Sequence, residues 1–145
     1  MRTTLKVTLV VLSSLVASKV IVQEQDGMSQ HFTSPSLTRT EGLLYRKPKG
    51  KCKLDEHERI AGCECDDLVG YHVDDVTEEL LGVVCVEKCE TNNDCPSPPS
   101  GTKKCMDFNI DNACGLVCAA DKDCLKGAYC EHIGEPTGNV CMYKP

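Results

Sequence analysis

Cys85-Val-Glu-Lys-Cys89-Glu-Thr-Asn-Asn-Asp-Cys95 and Cys114-Gly-Leu-Val-Cys118-Ala-Ala-Asp-Lys-Asp-Cys124 are two copies of one pattern. The first copy continues to Cys105 and Cys114, the second to Cys130 and Cys141, and both read C-x3-C-x5-C-x(5–9)-C-x(8–10)-C. A period of 29 with matched offsets marks an internal repeat. Asp94 and Asp123 hold the same place before the middle cysteine, where a short acceptor side chain closes an Asx-type turn.

The x3 gaps divide the cysteines into Cys52, Cys63, Cys65, Cys85; Cys89, Cys95, Cys105, Cys114; and Cys118, Cys124, Cys130, Cys141. Each group is even and can close on itself in three ways. Adjacent pairing closes only local loops, whereas interlaced pairing crosslinks a whole module. Interlacing gives Cys89–Cys105 with Cys95–Cys114, and Cys118–Cys130 with Cys124–Cys141. Applied to the first group, whose spacing departs from the repeat, it gives Cys52–Cys65 with Cys63–Cys85.

Those pairings require an oxidising compartment, and the N-terminus supplies the route. Arg2 and Lys6 precede the ten-residue apolar run Val7–Val16, and Val16-Ala17-Ser18 suits a signal peptidase. Lys19 ends the run well short of the ~20 apolar residues of a transmembrane helix. Residues 1–18 are therefore read as a signal peptide cut before Lys19, with no membrane anchor downstream. The destination is extracellular, where thiols become disulfides.

The chain has 145 residues, 12 cysteines, two phenylalanines and no tryptophan, too few large side chains for an extensive core. Its length excludes a large enzyme fold. The net charge of −6, or −8 once Arg2 and Lys6 are removed, argues against a nucleic-acid binder. Residues 19–51 lack cysteine, carry +3 and read as a basic arm or propeptide, with Arg39 and Arg46 as processing positions; retention and removal are both open. Residues 52–86, 87–115 and 116–145 read as three disulfide modules, the last two in tandem and the first divergent.

The expected fold is small and disulfide-rich, dominated by loops, with short β-strands and one short helix. Asp75-Val-Thr-Glu78 reads as a capping box and Gly82 as a C′ residue, which predicts that helix over 75–81. Val83–Val86, Leu116–Cys118 and Val140–Tyr143 read as strands.

No cofactor, metal or catalytic motif is expected. Cys63-x-Cys65 with Cys52 and His57 sketches a zinc site, but an even cysteine count in a secreted chain favours disulfides. Asp107-x-Asn109-x-Asp111 opens like a calcium loop, then fails where Asn112 replaces the turn glycine and Cys118 the bidentate glutamate. His31, His57, His72 and His132 fall in no nucleophile or metalloprotease motif and read as solvated side chains.

Two surfaces stand out. Pro96-Ser-Pro-Pro-Ser-Gly-Thr-Lys-Lys104 replaces the shorter Leu125–Tyr129 of the second copy. Pro96, Pro98 and Pro99 stiffen it, and Lys103 and Lys104 mark its exit. The acidic stretch from Glu64 offers a candidate face of Asp66, Asp67, Asp74, Asp75, Glu78 and Glu79. It complements the basic run Arg46, Lys47, Lys49, Lys51, Lys53 and suits either an intramolecular clasp or a cationic partner.

Cys118-x5-Cys124-Leu-Lys-Gly-Ala-Tyr-Cys130 resembles the C-x-x-D-x-D-C-x-x-G-x-x-C runs of extracellular modules, including the N-terminal cysteine-rich module of Dickkopf-type signalling antagonists. The plan of signal, basic arm and cysteine core also resembles venom polypeptides and the small secreted cysteine-rich effectors of plant pathogens. That resemblance implies a monomeric, non-enzymatic effector or toxin acting on an extracellular host or prey protein. The braced loop suggests a protease inhibitor as the alternative, and a signalling ligand or antagonist is a third reading.

Overall fold

The computed structural model describes residues 18–24, 44–108 and 111–145. The expected signal segment up to Ala17, the stretch 25–43 with His31 and Arg39, and Asn109 lie outside the described residues. Nine strands follow in chain order: β1 Ser18–Glu24, β2 Lys49–Leu54, β3 Ile60–Glu64, β4 Leu68–Asp74, β5 Leu80–Val86, β6 Thr102–Asp107, β7 Asn112–Val117, β8 Tyr129–Gly134 and β9 Gly138–Met142. They form sheets ordered β1-β4-β5, β2-β3 and β6-β7-β9-β8. A single 3-10 turn at Asp121–Asp123 is the only helical element among the described residues, so strands prevail where loops were expected.

The cysteine framework has a simple geometric cause. Each repeat ends in an antiparallel hairpin whose last two cysteines face each other in register, Cys105 opposite Cys114 and Cys130 opposite Cys141. The loop leading into each hairpin supplies the other two partners, giving Cys89–Cys105, Cys95–Cys114, Cys118–Cys130 and Cys124–Cys141. Neighbouring in-register cysteines thus bond to the loop and not to each other, which produces the interlacing.

The first group follows another rule, and the pairs Cys52–Cys65 and Cys63–Cys85 do not form. The disulfides are Cys52–Cys63 and Cys65–Cys85. In the β2–β3 hairpin Cys63 pairs in register with Gly50, and Cys52, within the bulge between Gly50 and Lys53, lies with its Cα 4.8 Å from that of Cys63. Cys65 lies past the end of β3 and turns toward β5, 5.5 Å from the Cα of Cys85. No free cysteine remains.

The helix expected over 75–81 is also absent. Asp74 accepts from the backbone N–H groups of Val76 and Thr77, its own C=O accepts from Glu78 N–H, and Glu78 turns left-handed at φ 56°. The chain therefore reverses after one turn, and Leu80–Val86 runs back along β4. The positions read as helix are a hairpin turn followed by a buried strand.

Two apolar clusters form the interior among the described residues, a larger one spanning most of the strands and a smaller one of Tyr45, Cys95, Cys114, Leu116 and Cys141. Val20, Leu68, Val69, Val83, Val86, Phe108, Val140 and Met142 are buried together, so side chains from residues 20 to 142 pack as one cluster. Val83 and Tyr143 exchange backbone hydrogen bonds of 2.9 and 2.8 Å, tying β5 to the end of β9. Gly70 is pressed against Phe108 and Val86; an added Cβ would lie 3.3 and 3.2 Å from them. The boundary drawn between residues 51 and 52 falls inside β2, and that between 115 and 116 inside β7.

Two pieces of the cysteine-free segment are buried, β1 in the larger cluster and Tyr45 in the smaller one. β1 pairs with β4 over seven residues and buries Val20, Ile21 and Val22. Its Gln23 amide accepts from Ile60 N–H at 2.7 Å and donates to Ile60 C=O at 3.3 Å, which docks the β2–β3 ribbon on the sheet. Tyr45 is buried; its N–H donates to Cys85 C=O and its hydroxyl to Pro96 C=O.

Candidate functional site

The Pro96–Lys104 segment divides into a loop and the start of β6. Pro96 is half-buried, while Ser97 and residues 99–101 are exposed. Each end is fixed. Cys95 is buried and bonded to Cys114, and Tyr45 donates to Pro96 C=O at 2.9 Å. At the exit, Lys103 Nζ donates to Cys95 C=O and closes the loop on itself. Thr102, Lys103 and Lys104 are in strand geometry, opposite Val117, Leu116 and Gly115. Lys103 is thus spent on bracing, and Lys104 is the exposed cation at this end.

Beside the loop lies an open cleft of about 470 Å³ between Ser100-Gly101-Thr102 and Val117, Cys118, Ala119, Lys122 and Asp123 of the second copy. Gly101 has φ +90°, and a Cβ there would lie 3.2 Å from Asp123 C=O. A glycine is needed for both the backbone conformation and the close approach.

Matched aspartates hold the two entry loops. Asp94 accepts from Glu90 and Thr91 N–H, and Asp123 from Ala119 and Ala120 N–H. Each carboxylate reaches back three and four residues, which corrects the expectation of a forward Asx turn. Asn92 accepts from Cys105 N–H and its counterpart Asp121 from Cys130 N–H, both at 2.8 Å. The backbone donors to Asp123 hold its carboxyl below the ordinary value. Asp74 is lowered by Thr77 and Val76 in the same way, and Asp55 chiefly by Arg59 N–H.

The candidate acidic face is not one face. Asp66 and Asp67 occupy the turn before β4, Asp74 ends β4, and Asp75, Glu78 and Glu79 lie in the turn after it. Seven strand residues at about 3.3 Å each separate the groups by roughly 20 Å. The basic run meets the acidic stretch where Arg46 pairs with Asp66 at 2.6 Å, and Glu64 lies opposite Lys49 in the ribbon register. Lys47, Lys49, Lys51 and Lys53 remain exposed.

The histidines separate by environment. His57 and His132 are exposed, but His72 is 1% exposed, which corrects its reading as solvated. Its Nδ1 lies 3.1 Å from Glu131 Oε1 across the β4–β8 interface, and its Nε2 is buried without a partner. Nearby Tyr129 donates to Leu81 C=O, and burial, reinforced by Glu131, raises its phenol well above the ordinary range. This group was hidden in the sequence, because its members are separated by 59 residues and only the alternation of β4 hints that His72 faces inward.

Among the described residues, the clusters with metal-ligand spacing are Cys89, Cys95, Cys114 and Cys118, Cys124, Cys141, whose sulfurs are all in disulfides. No helix among them is long and apolar enough to cross a membrane. Comparison with protein-family models, curated proteins and solved structures gives no match.

Proposed function

We propose that the protein is a secreted, non-enzymatic binding protein of the effector or toxin type, acting on an extracellular host or prey protein. The observation that carries this reading is the 97–101 loop, exposed along most of its length while its ends are held by Cys95–Cys114, the Tyr45 hydroxyl and Lys103. A loop braced at both ends loses little conformational entropy on binding, so a small surface retains more of its interaction energy. The six disulfides support an extracellular setting. The carboxylates that gather donors, at Asp74, Asp94 and Asp123, serve the backbone of turns. The test is saturable binding of the labelled folded protein to intact host or prey cells. Exchange of 96–104 for the shorter Leu125–Tyr129 sequence should abolish saturation; unchanged binding of that variant would remove the loop from the account.

Inhibition of a protease is the second reading, favoured by the same bracing. Because Lys103 is tied to Cys95, Lys104 is the residue offered to an acidic specificity pocket. Micromolar inhibition of a trypsin-like enzyme that Lys104→Ala removes and Lys103→Ala weakens only through loop stability would establish it. No inhibition across trypsin-like, chymotrypsin-like and papain-like enzymes would discard it for those classes.

A further inference from the structure

The β2–β3 ribbon carries a charge pattern that the loop reading leaves unused. Lys49, Lys51 and Lys53 lie on β2 and Lys47 two residues before it; all four are exposed, and a β-bulge between Gly50 and Lys53 interrupts the regular register of the ribbon along this basic strip. At about 3.3 Å per fully extended residue they span at most roughly 20 Å. Cys52, between Lys51 and Lys53, points inward and is bonded to Cys63, so the row is displayed on a covalently locked ribbon. No acidic residue occurs from Leu44 to Leu54, in a chain whose net charge is −6.

A shallow groove opens beside the row, about 420 Å³ in volume, lined by Lys49, Gly50, Gly62, Cys63 and Glu64. Gly50 and Gly62 are left-handed, at φ +97° and +78°. A Cβ on Gly50 would sit 2.5 Å from Gly62 C=O, and one on Gly62 would sit 2.5 Å from Lys51 C=O. No other residue fits either position, so the groove floor stays bare backbone. Glu64 lies across from Lys49, and Asp55, Glu56 and Glu58 in the turn bound the strip beyond Lys53.

We propose that this strip binds a linear sulfated polysaccharide, with sulfate groups along Lys47–Lys53 and one beside Lys49 over the Gly50–Gly62 floor. A single row of cations suits a chain-like polyanion, which touches the strip and avoids the acidic remainder of the molecule. A planar anionic membrane would meet that acidic surface as well. Val76, the one exposed large apolar side chain among the described residues, lies in the β4–β5 turn and offers the ribbon no apolar anchor. A single-stranded nucleic acid would call for aromatic platforms, and neither β2 nor β3 carries an aromatic residue. The site is separate from the 97–101 loop, so binding here holds the protein in a glycan-rich extracellular matrix whatever the loop contacts.

The full mature protein is titrated with a fluorescent heparin-derived octasaccharide at about 50 and about 200 mM NaCl, where several ionic contacts give a steep salt dependence. Lys49→Ser/Lys51→Ser/Lys53→Ser should weaken binding at least about tenfold, and Lys122→Ser/Lys126→Ser should leave it within about twofold. Glu64→Lys should strengthen it, a gain that impaired folding would not produce. Lys→Arg at the three ribbon positions should retain binding. Absence of wild-type binding, equal binding of the desulfated octasaccharide, or an unaffected triple variant would overturn the proposal. Tighter binding to phosphatidylserine vesicles or to a single-stranded oligonucleotide would overturn it in favour of that ligand. Exchange of the 96–104 loop leaves this titration unchanged, so the two readings fail separately.

Discussion

Val20→Ala tests whether β1 is a structural strand held without a covalent crosslink. Every disulfide lies between Cys52 and Cys141, so β1 can leave the sheet with the whole framework intact. Val20 is fully buried, opposite His72 in β4. The substitution removes two methyl groups, at about 0.8 kcal/mol each in transfer free energy. The cavity adds roughly 1 kcal/mol. The sum of about 2.5 kcal/mol corresponds to about a 70-fold rise in the opening constant of β1. Amide hydrogen exchange read by mass spectrometry resolves this by segment. Residues 19–24 should be protected in the wild type and exchange about 70-fold faster in the variant. The β6–β7 and β8–β9 hairpins should change far less, because each is closed by its own disulfides. Free-peptide exchange of β1 in the wild type, or an equal loss of protection across the molecule, would refute the reasoning.

Gly82→Ala should lower the thermal midpoint by several degrees, since the new Cβ would meet Met142 Sδ at 2.7 Å and Tyr129 Oη at 2.9 Å, an overpacking worth about 1–3 kcal/mol. Acid should destabilise the fold through Asp55, Asp74 and Asp123: their folded values lie below 3.8, so their contribution is complete above that pH and is lost as pH falls through the lowered values. Denaturant midpoints should be flat just above pH 4 and drop below it, and Asp123→Asn should flatten part of that drop. In alkali, Tyr71, Tyr129 and Tyr143 are all raised, chiefly by burial, so their stabilising effect is lost as pH rises above 10. Ultraviolet titration should show them ionising later than free tyrosine, with Tyr129 last; ordinary titration of Tyr129 would contradict its burial.

The two repeats were legible because cysteine spacing is a covalent record of which backbone segments meet. Once Cys105 and Cys114 sit on facing strands, the loop of five residues before Cys95 leaves them little choice of partner. The first group lacked that record. Cys63 and Cys65 differ by two residues, and only the hairpin turn at Asp55–Arg59, closed by Asp55 on the N–H groups of His57 and Arg59, decides which faces Cys52. The helix failed because Asp75-Val-Thr-Glu78 is locally ambiguous: an acidic side chain capping free N–H groups starts either a helix or a hairpin turn. The continuous run Leu80-Leu-Gly-Val-Val-Cys-Val86, matched to Leu68–Asp74, decides for the hairpin through long-range pairing. β1 was obscured because Val20-Ile21-Val22 is only a three-residue apolar stretch within the cysteine-free segment read as a basic arm, and its pairing with β4 is long-range. The split of the acidic stretch likewise depends on β4 being extended, which charge counting alone does not reveal.

Two repeats closed in the same interlaced way, each framing an entry loop held by an aspartate, are the centre of this fold. Partial reduction with stepwise alkylation, followed by mass spectrometry of the folded protein, reads those connections one at a time. The expected result is no free thiol and the pairs Cys52–Cys63, Cys65–Cys85, Cys89–Cys105, Cys95–Cys114, Cys118–Cys130 and Cys124–Cys141. Adjacent pairing in either repeat, Cys89–Cys95 or Cys118–Cys124, would contradict it.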